Sequence, residues 1–238
     1  MIRFYPLETS YTLKNNRPVI QLFGKMENGE QICVLDETFQ PYFWVMPEKD
    51  AEQIAKDILK GVVDGTKAEK TVVEEKNYLG KKVSVVKVST QKPSDVPILR
   101  EAFRKYGECL EADILFTRRY HIDRKIIPLQ LYEAEGEFVE GRYKTKIFKA
   151  KTIQQVEGEG AEQRFMALDI ETYNAEGKMP NPAQDPIIMI ALAEDGYEKV
   201  LTWKKFETQE RYIEFVEDES TLLRRTKEII EERKPDSI

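Results

Sequence analysis

The chain has 238 residues with 37 Lys+Arg against 43 Asp+Glu, a net charge of −6, and 41% hydrophobic residues, enough to bury a core and to exclude wholesale disorder. Its longest apolar run, Ile187–Ala193, falls far short of the roughly 20 residues a membrane-spanning helix needs, and the opening MIRFYPLETS lacks the apolar stretch of a secretory signal. The acidic total argues against a uniformly basic nucleic-acid binder, two cysteines (Cys33 and Cys109) exclude a disulfide framework and fit a reducing cytoplasm, and the single histidine, His121, leaves little room for imidazole-based triads or metal sites.

The length suits one large or two modest domains. Residues 1–150 carry a net of +2 and residues 151–238 a net of −8. That split fits two regions facing different partners, a polyanion and a metal, and it equally fits two ordinary solvated surfaces.

Along the chain, Pro18–Lys25 and Gln31–Asp36 are apolar-rich runs flanking Asn28-Gly29, a pair suited to a hairpin turn. Pro41–Pro47 (PYFWVMP) reads as a strand. Residues 48–62 place Ala51, Ile54, Ala55, Ile58, Leu59 and Val62 at helical spacing. Residues 70–77 and 80–89 read as strands joined near Gly80. A helix is predicted from about Ser94 to Tyr106, with Ser94 or Asp95 as its N-cap, and a further strand near Glu111–Phe116. The order β-α-β-β-α-β is the ferredoxin-like arrangement.

From Leu129 to Ile153 the pattern predicts β-hairpins with turns at Gly136 and Gly141, and 154–163 is a polar Gly/Glu connector. Phe165–Ile170, Ile187–Ala193 and Glu198–Trp203 then read as strands, and 218–233 as a helix. Three strands followed by a helix open an RNase H-like fold. The fold class expected is therefore mixed α+β: a β-rich amino-terminal domain over 1–130 with a ferredoxin-like unit, then an incomplete RNase H-like domain over 131–238.

Asp169-Ile170-Glu171-Thr172 follows directly on an apolar, and so expectedly buried, strand. Side chains at i and i+2 of a strand share a face, so Asp169 and Glu171 stand side by side with Ile170 turned to the opposite layer. Neighbouring carboxylates repel, and Mg²⁺ or Mn²⁺ relieves that repulsion by accepting oxygen ligands. Two metals about 3.5–4 Å apart activate a water and stabilise the leaving oxygen in phosphodiester cleavage. A D-x-E pair by itself equally describes a solvated strand.

FMALDIET, followed by PIIMIAL and VLTWK, resembles the first exonuclease motif and neighbouring strands of family B DNA polymerases, archaeal ones especially. The resemblance implies a 3′–5′ proofreading domain in which Asp169 and Glu171 are catalytic and bind the metals, Mg²⁺ or Mn²⁺ in the complete enzyme, while Thr172 helps position the terminal nucleotide. In that family further acidic and tyrosine residues come from two later motifs, the second expected just beyond Lys234–Ile238. The chain alone is therefore expected to be inactive as an exonuclease.

The resemblance extends back through Tyr11, Arg17–Phe23, Asp36–Tyr42, Pro93–Pro97 and Asp113–Asp123, in the family's order; residues 1–10 and about 129–163 match poorly. In archaeal members this region captures uracil in the template strand. The matched positions are Tyr11, Pro41, Tyr42, Pro93, Val96, Ile114, Phe116 and Arg119. A flipped-out base needs an apolar slot and a few polar groups for its pairing edge. Pro41, Pro93, Val96 and Phe116 suit the slot, and backbone groups near Tyr42 and Ile114 suit the edge. Thymine adds one methyl group, so its exclusion is steric, with the Tyr42 ring as the wall. Tyr11 can contribute through water, and Arg119 can hold the surrounding loop or a phosphate. Each also has a plainer reading: Val96 and Phe116 as core, Pro41 as a strand start, Arg118-Arg119 as a solvated basic turn.

The reading is the amino-terminal part of an archaeal-type family B DNA polymerase, cytoplasmic and nucleoid-associated. Its expected partners are template and primer DNA, uracil-containing single strands above all, the remainder of the polymerase, and a sliding clamp through other regions; no membrane is expected. A standalone single-stranded nucleic-acid-binding module and a nuclease subunit completed by a second chain are the alternatives.

Overall fold

The structure is a computed structural model and describes residues 1–48, 50–141, 143–160, 162–174 and 177–238. Lys49 and Ala161, inside the predicted helix over 48–62 and the predicted connector, lie outside the described residues. Two compact units result, Met1–Ala161 and Glu162–Ile238.

The first unit opens with β1 (Ile2–Lys14), a strand the sequence pattern does not announce, because only Phe4 and Pro6 are buried and its second half is polar or exposed. It turns through Asn15 and Asn16, both at positive φ, a conformation asparagine tolerates, into β2 (Arg17–Met26). Gly29 (φ 83°) then turns β2 into β3 (Gln31–Asp36), the predicted hairpin. Two later strands, β10 (Tyr132–Val139) and β11 (Lys146–Gln155), return to these three. β10 pairs with β1, β11 runs parallel to β3, and the order β1-β10-β11-β3-β2 closes into a barrel.

Closure corrects two expectations. Residues 131–155, assigned from sequence to the carboxy-terminal region, belong to the first unit, because Tyr132, Ala134, Phe148 and Ala150 fill a core shared with Phe4, Ile20 and Leu22. Gly136 is no turn; it sits within β10 at a register shift, where an added Cβ would lie 2.0 Å from the Lys149 carbonyl oxygen. Cys33 is fully buried on β3, and burial pushes its thiol up to about 12.

Between β3 and β10 the chain builds a second sheet. The elements are β4 (Tyr42–Pro47), α1 (Ala51–Lys60), the short pair β5 (Val62–Val63) and β6 (Thr66–Lys67), β7 (Lys70–Tyr78), β8 (Lys81–Ser89), α2 (Asp95–Phe103) with a 3₁₀ turn over Arg104–Tyr106, and β9 (Gly107–Leu110). The four long strands pair antiparallel in the order β7-β8-β4-β9. β4 is buried on both faces: Phe43 and Val45 pack with Ile54, Ile58 and Leu99 of the helices, while Tyr42 and Trp44 pack with Phe116 and Tyr120. Asp50 caps α1 by accepting from the Glu52 amide at 3.0 Å. Ser94 occupies the N-cap of α2 without a side-chain cap bond, and Asp95 Oδ2 accepts instead from the Lys92 amide at 3.2 Å.

The last strand of this sheet lies four residues earlier than predicted, and Phe116 starts a helix, α3 (Phe116–Arg124), rather than ending a strand. The helix escapes a pattern search because its buried face is Phe116, Arg119 and Tyr120, which places an arginine where the apolar stripe should be.

The second unit holds β12 (Ala167–Thr172), β13 (Ile187–Glu194), β14 (Tyr197–Thr202) and β15 (Ile213–Phe215) in that order, the first three antiparallel and the last parallel to β14. α4 (Glu219–Arg233), capped by Asp218, packs Leu222, Thr226 and Ile229 on one face, against a core of Ile190, Leu192 and Leu201. β12 is an edge strand among the described residues, and contrary to the expectation of burial its Leu168 and Ile170 are 39% and 46% exposed. Ser237 bridges Phe165 in parallel, and its carbonyl accepts from the Met166 amide at 3.0 Å. Among the described residues no helix is long and apolar enough to cross a membrane.

Candidate nucleic-acid pocket and carboxylate pair

Four elements of the first unit meet around one cavity of about 470 Å³. β1 brings Tyr11, and the start of β4 brings Pro41 and Tyr42. The entry and first turn of α2 bring Pro93 and Val96, while the loop into α3 brings Ile114 and the helix itself Phe116 and Arg119. All eight residues singled out from sequence line this single space. Ser94, Pro97, Arg100 and Leu115 line it as well and were missed. Spacing could have found one of them: Arg100 follows Val96 by four residues, so the two share one face of α2.

The walls divide into apolar and charged parts. Phe116 meets Tyr11 edge-to-face at 5.2 Å and Phe39 at 5.5 Å, and Val96 is buried in the helix–sheet core. Val96 and Phe116 therefore serve as core and as lining at once. Tyr11 is 42% exposed and stands at the rim, whereas Tyr42 is buried. The Tyr42 hydroxyl donates to Asp123 Oδ2 at 2.6 Å, and burial together with that bond pushes the phenol well above its usual range. The Arg119 guanidinium lies 4.9 Å from the Tyr42 ring centroid and Lys87 Nζ 3.8 Å from it.

Arg119 is not a solvated turn residue. Its side chain is 7% exposed, it donates to Glu111 Oε2 at 2.6 Å, and Asp123 lies 3.8 Å away. Its Nε, like that of Arg100, is buried with no partner among the described residues. His121, two residues after Arg119 on α3, faces Thr9 Oγ1 at 2.7 Å, and burial holds its imidazole below the usual range.

On the second unit, Asp169 and Glu171 pair across the sheet with Ala191 and Met189, while Leu168 and Ile170 pair with Leu192 and Ile190. Paired residues share a face, so the two carboxylates stand together on the side away from α4, as the i, i+2 spacing predicts. Both are exposed. Thr172 donates its hydroxyl to Asn174 Oδ1 at 3.1 Å. Among the described residues no group of three or more His, Cys, Asp or Glu could hold a metal ion.

Three comparisons agree on ancestry. The model for the exonuclease domain of DNA polymerase family B matches residues 108–238. A DNA polymerase of Thermococcus sp. (strain 9oN-7) is 31% identical over 235 residues, covering 97% of this chain and 26% of its own length, and one of Thermococcus kodakarensis is 31% identical over 237 residues, 97% of this chain and 12% of its own length. The solved family B DNA polymerase of the hyperthermophilic archaeon Pyrobaculum calidifontis superposes with a TM-score of 0.76 at 29% identity, covering 99% of this chain and 30% of that one. The chain thus spans about a quarter or less of the two relatives' length. With more than half its residues matched by that model, the chain belongs to DNA polymerase family B, its residues 108–238 to the family's exonuclease domain.

Proposed function

We propose that the chain is the amino-terminal part of a DNA-directed DNA polymerase, that its first unit captures uracil in single-stranded template DNA, and that its second supplies the first metal-binding motif of a 3′–5′ proofreading exonuclease. The observation that carries the uracil reading is the convergence of Tyr11, Pro41, Tyr42, Pro93, Val96, Ile114, Phe116 and Arg119 on one cavity. Pro41, Pro93, Val96 and Phe116 offer faces to a planar base. The unpartnered Arg119 Nε is a donor for a carbonyl or phosphate oxygen. The Tyr42 hydroxyl has its one proton committed to Asp123, so the ring meets a base as a wall. Cytosine presents a donor where uracil presents an acceptor, at a cost of about 1–3 kcal/mol for groups left unpaired.

The strand order β7-β8-β4-β9, with α1 and α2 as crossovers, supports reading this sheet as a ferredoxin-like unit. The three antiparallel strands and α4 support reading the second unit as the start of an RNase H-like domain.

Asp169 and Glu171 are oxygen donors of the kind Mg²⁺ or Mn²⁺ takes, side by side on one face and free of other partners among the described residues, so they fit as two ligands of a larger set. Such an ion, when bound, supplies Lewis acidity for phosphodiester cleavage. This chain's own contribution is to hold the two carboxylates at the end of a paired strand, with Thr172 beside them for the terminal nucleotide. The remaining ligands belong to the parent polymerase, whose nucleotide transfer to a primer lies outside these residues.

The experiment compares binding of the chain to single strands carrying one dU or one dT. Tighter dU binding, lost on filling the slot by Val96→Gln, is the expected result; equal binding of both strands by the unaltered chain overturns the uracil reading. For the second unit, a labelled single strand with Mg²⁺ should remain intact, and turnover abolished by Asp169→Ala would show that the pair suffices alone.

A further inference from the structure

We infer that Glu111 and Asp123 are positioning residues that set the base preference of the proposed pocket through Tyr42 and Arg119; the inference rests on the uracil reading above. Tyr42 and Arg119 line two cavities, the one of about 470 Å³ already described and a second of about 310 Å³. The second is lined further by Trp44, Lys76, Val83 and Leu110, and by Glu111 and Asp123 themselves. The wall that faces the base therefore has open volume next to it on another side. Close packing normally locks a side chain in one rotamer, and a wall beside a void lacks part of that support.

Hydrogen bonds take its place. Asp123 receives the Tyr42 hydroxyl at 2.6 Å on Oδ2 and faces Arg119 Nη1 with Oδ1 at 3.8 Å. Glu111 Oε2 accepts from Arg119 Nη2 at 2.6 Å and from Trp44 Nε1 at 3.1 Å. Arg119 in turn lies over the Tyr42 ring. Two carboxylates thus tie one cation and two aromatic rings into a single assembly, and the nearly buried Arg119 charge is paired chiefly by Glu111, at 2.6 Å against 3.8 Å for Asp123. Glu111 holds its place at φ 58°, in the left-handed region a glutamate seldom adopts. Neither acid faces the proposed base site; each appears only among residues lining the second cavity. Their effect on the base passes through the ring. With the tethers intact, the Tyr42 ring stays against the slot and a 5-methyl group is refused. Without them, the ring yields toward the second cavity and the methyl is accommodated.

The test measures affinities for otherwise identical labelled single strands carrying one dU or one dT, using the whole chain as Glu111→Gln, Asp123→Ala and Asp123→Asn variants beside the unaltered protein. Glu111→Gln and Asp123→Ala should each lower the dU-over-dT preference about tenfold, chiefly through tighter dT binding. Asp123→Asn keeps an acceptor for the Tyr42 hydroxyl and should retain the preference. Asp123→Ala leaves the Glu111–Arg119 pair in place, so the test stands on it should Glu111→Gln fail to fold. A parallel loss of affinity for both strands at constant ratio, or an unchanged ratio in both variants while the unaltered chain prefers dU, overturns the inference alone. Absence of any dU preference in the unaltered chain overturns the uracil reading and the inference with it.

Discussion

Tyr120 donates its hydroxyl to Asp36 Oδ2 at 3.0 Å, tying the middle of α3 to the end of β3. The other oxygen of Asp36 accepts from the amide and hydroxyl of Thr38, at 2.7 and 2.6 Å. One carboxylate thereby fixes both the chain leaving the barrel toward β4 and the helix that carries Phe116 and Arg119. The Tyr120 ring is fully buried, edge-to-face on Phe39 at 5.1 Å, and Phe39 in turn packs on the cavity-lining Phe116.

Replacing Tyr120 with Phe keeps the packing and removes the donor, leaving a buried Asp36 oxygen without it. Denaturant unfolding should show a loss of about 1–3 kcal/mol. Burial, and then the Asp36 charge and hydrogen bond, push the Tyr120 phenol above its ordinary value of 10.0, and burial does the same for Tyr42. A raised folded-state value means the unfolded chain loses these protons first. The contribution is therefore fully present below about pH 10 and is lost as pH rises beyond it. The thermal midpoint should fall above that pH in the unaltered chain, and fall less steeply in Tyr120→Phe.

Gly107 approaches Met46 so closely that a Cβ on it would lie 2.0 Å from the Met46 carbonyl oxygen, and its φ of 154° disfavours any other residue. Gly107→Ala should cost about 1–3 kcal/mol or more. Amide exchange at the β4–β9 pairing should speed up, since that ladder must part to admit the methyl group.

Phe148 is buried in the barrel core, while Phe138, stacked edge-to-face on it at 5.1 Å, is more than half exposed. Phe148→Ala should cost about 3–5 kcal/mol. Phe138→Ala should cost about 1 kcal/mol, the worth of the aromatic contact. Equal losses would mean that β10 and β11 do not close the barrel as described.

Much of this architecture was legible locally. Asn28-Gly29, the helical spacing of Ala51, Ile54 and Ile58, and the i, i+2 placing of Asp169 and Glu171 each express a short-range rule, so the elements follow from neighbours in sequence. What stayed hidden depends on partners far away. β1 is half polar and is held by β2 and β10 on either side. α3 buries an arginine that only Glu111 and Asp123 make tolerable. Gly136 looks like a turn former until the strand crossing close to it is seen.

The sequence by itself determined the order of most elements, the family's blocks along the chain, and the residue types of both candidate sites, because backbone periodicity and side-chain chemistry are properties of short segments. The tertiary structure alone decided that residues 131–155 complete the first unit, and that β12 lies at a sheet edge among the described residues with its carboxylates exposed. It alone decided, too, that Tyr42 and Arg119 stand between two cavities. The reason is physical: closure of a barrel, burial of a charge and the shape of a void are set by which distant surfaces meet, and no local pattern encodes that meeting.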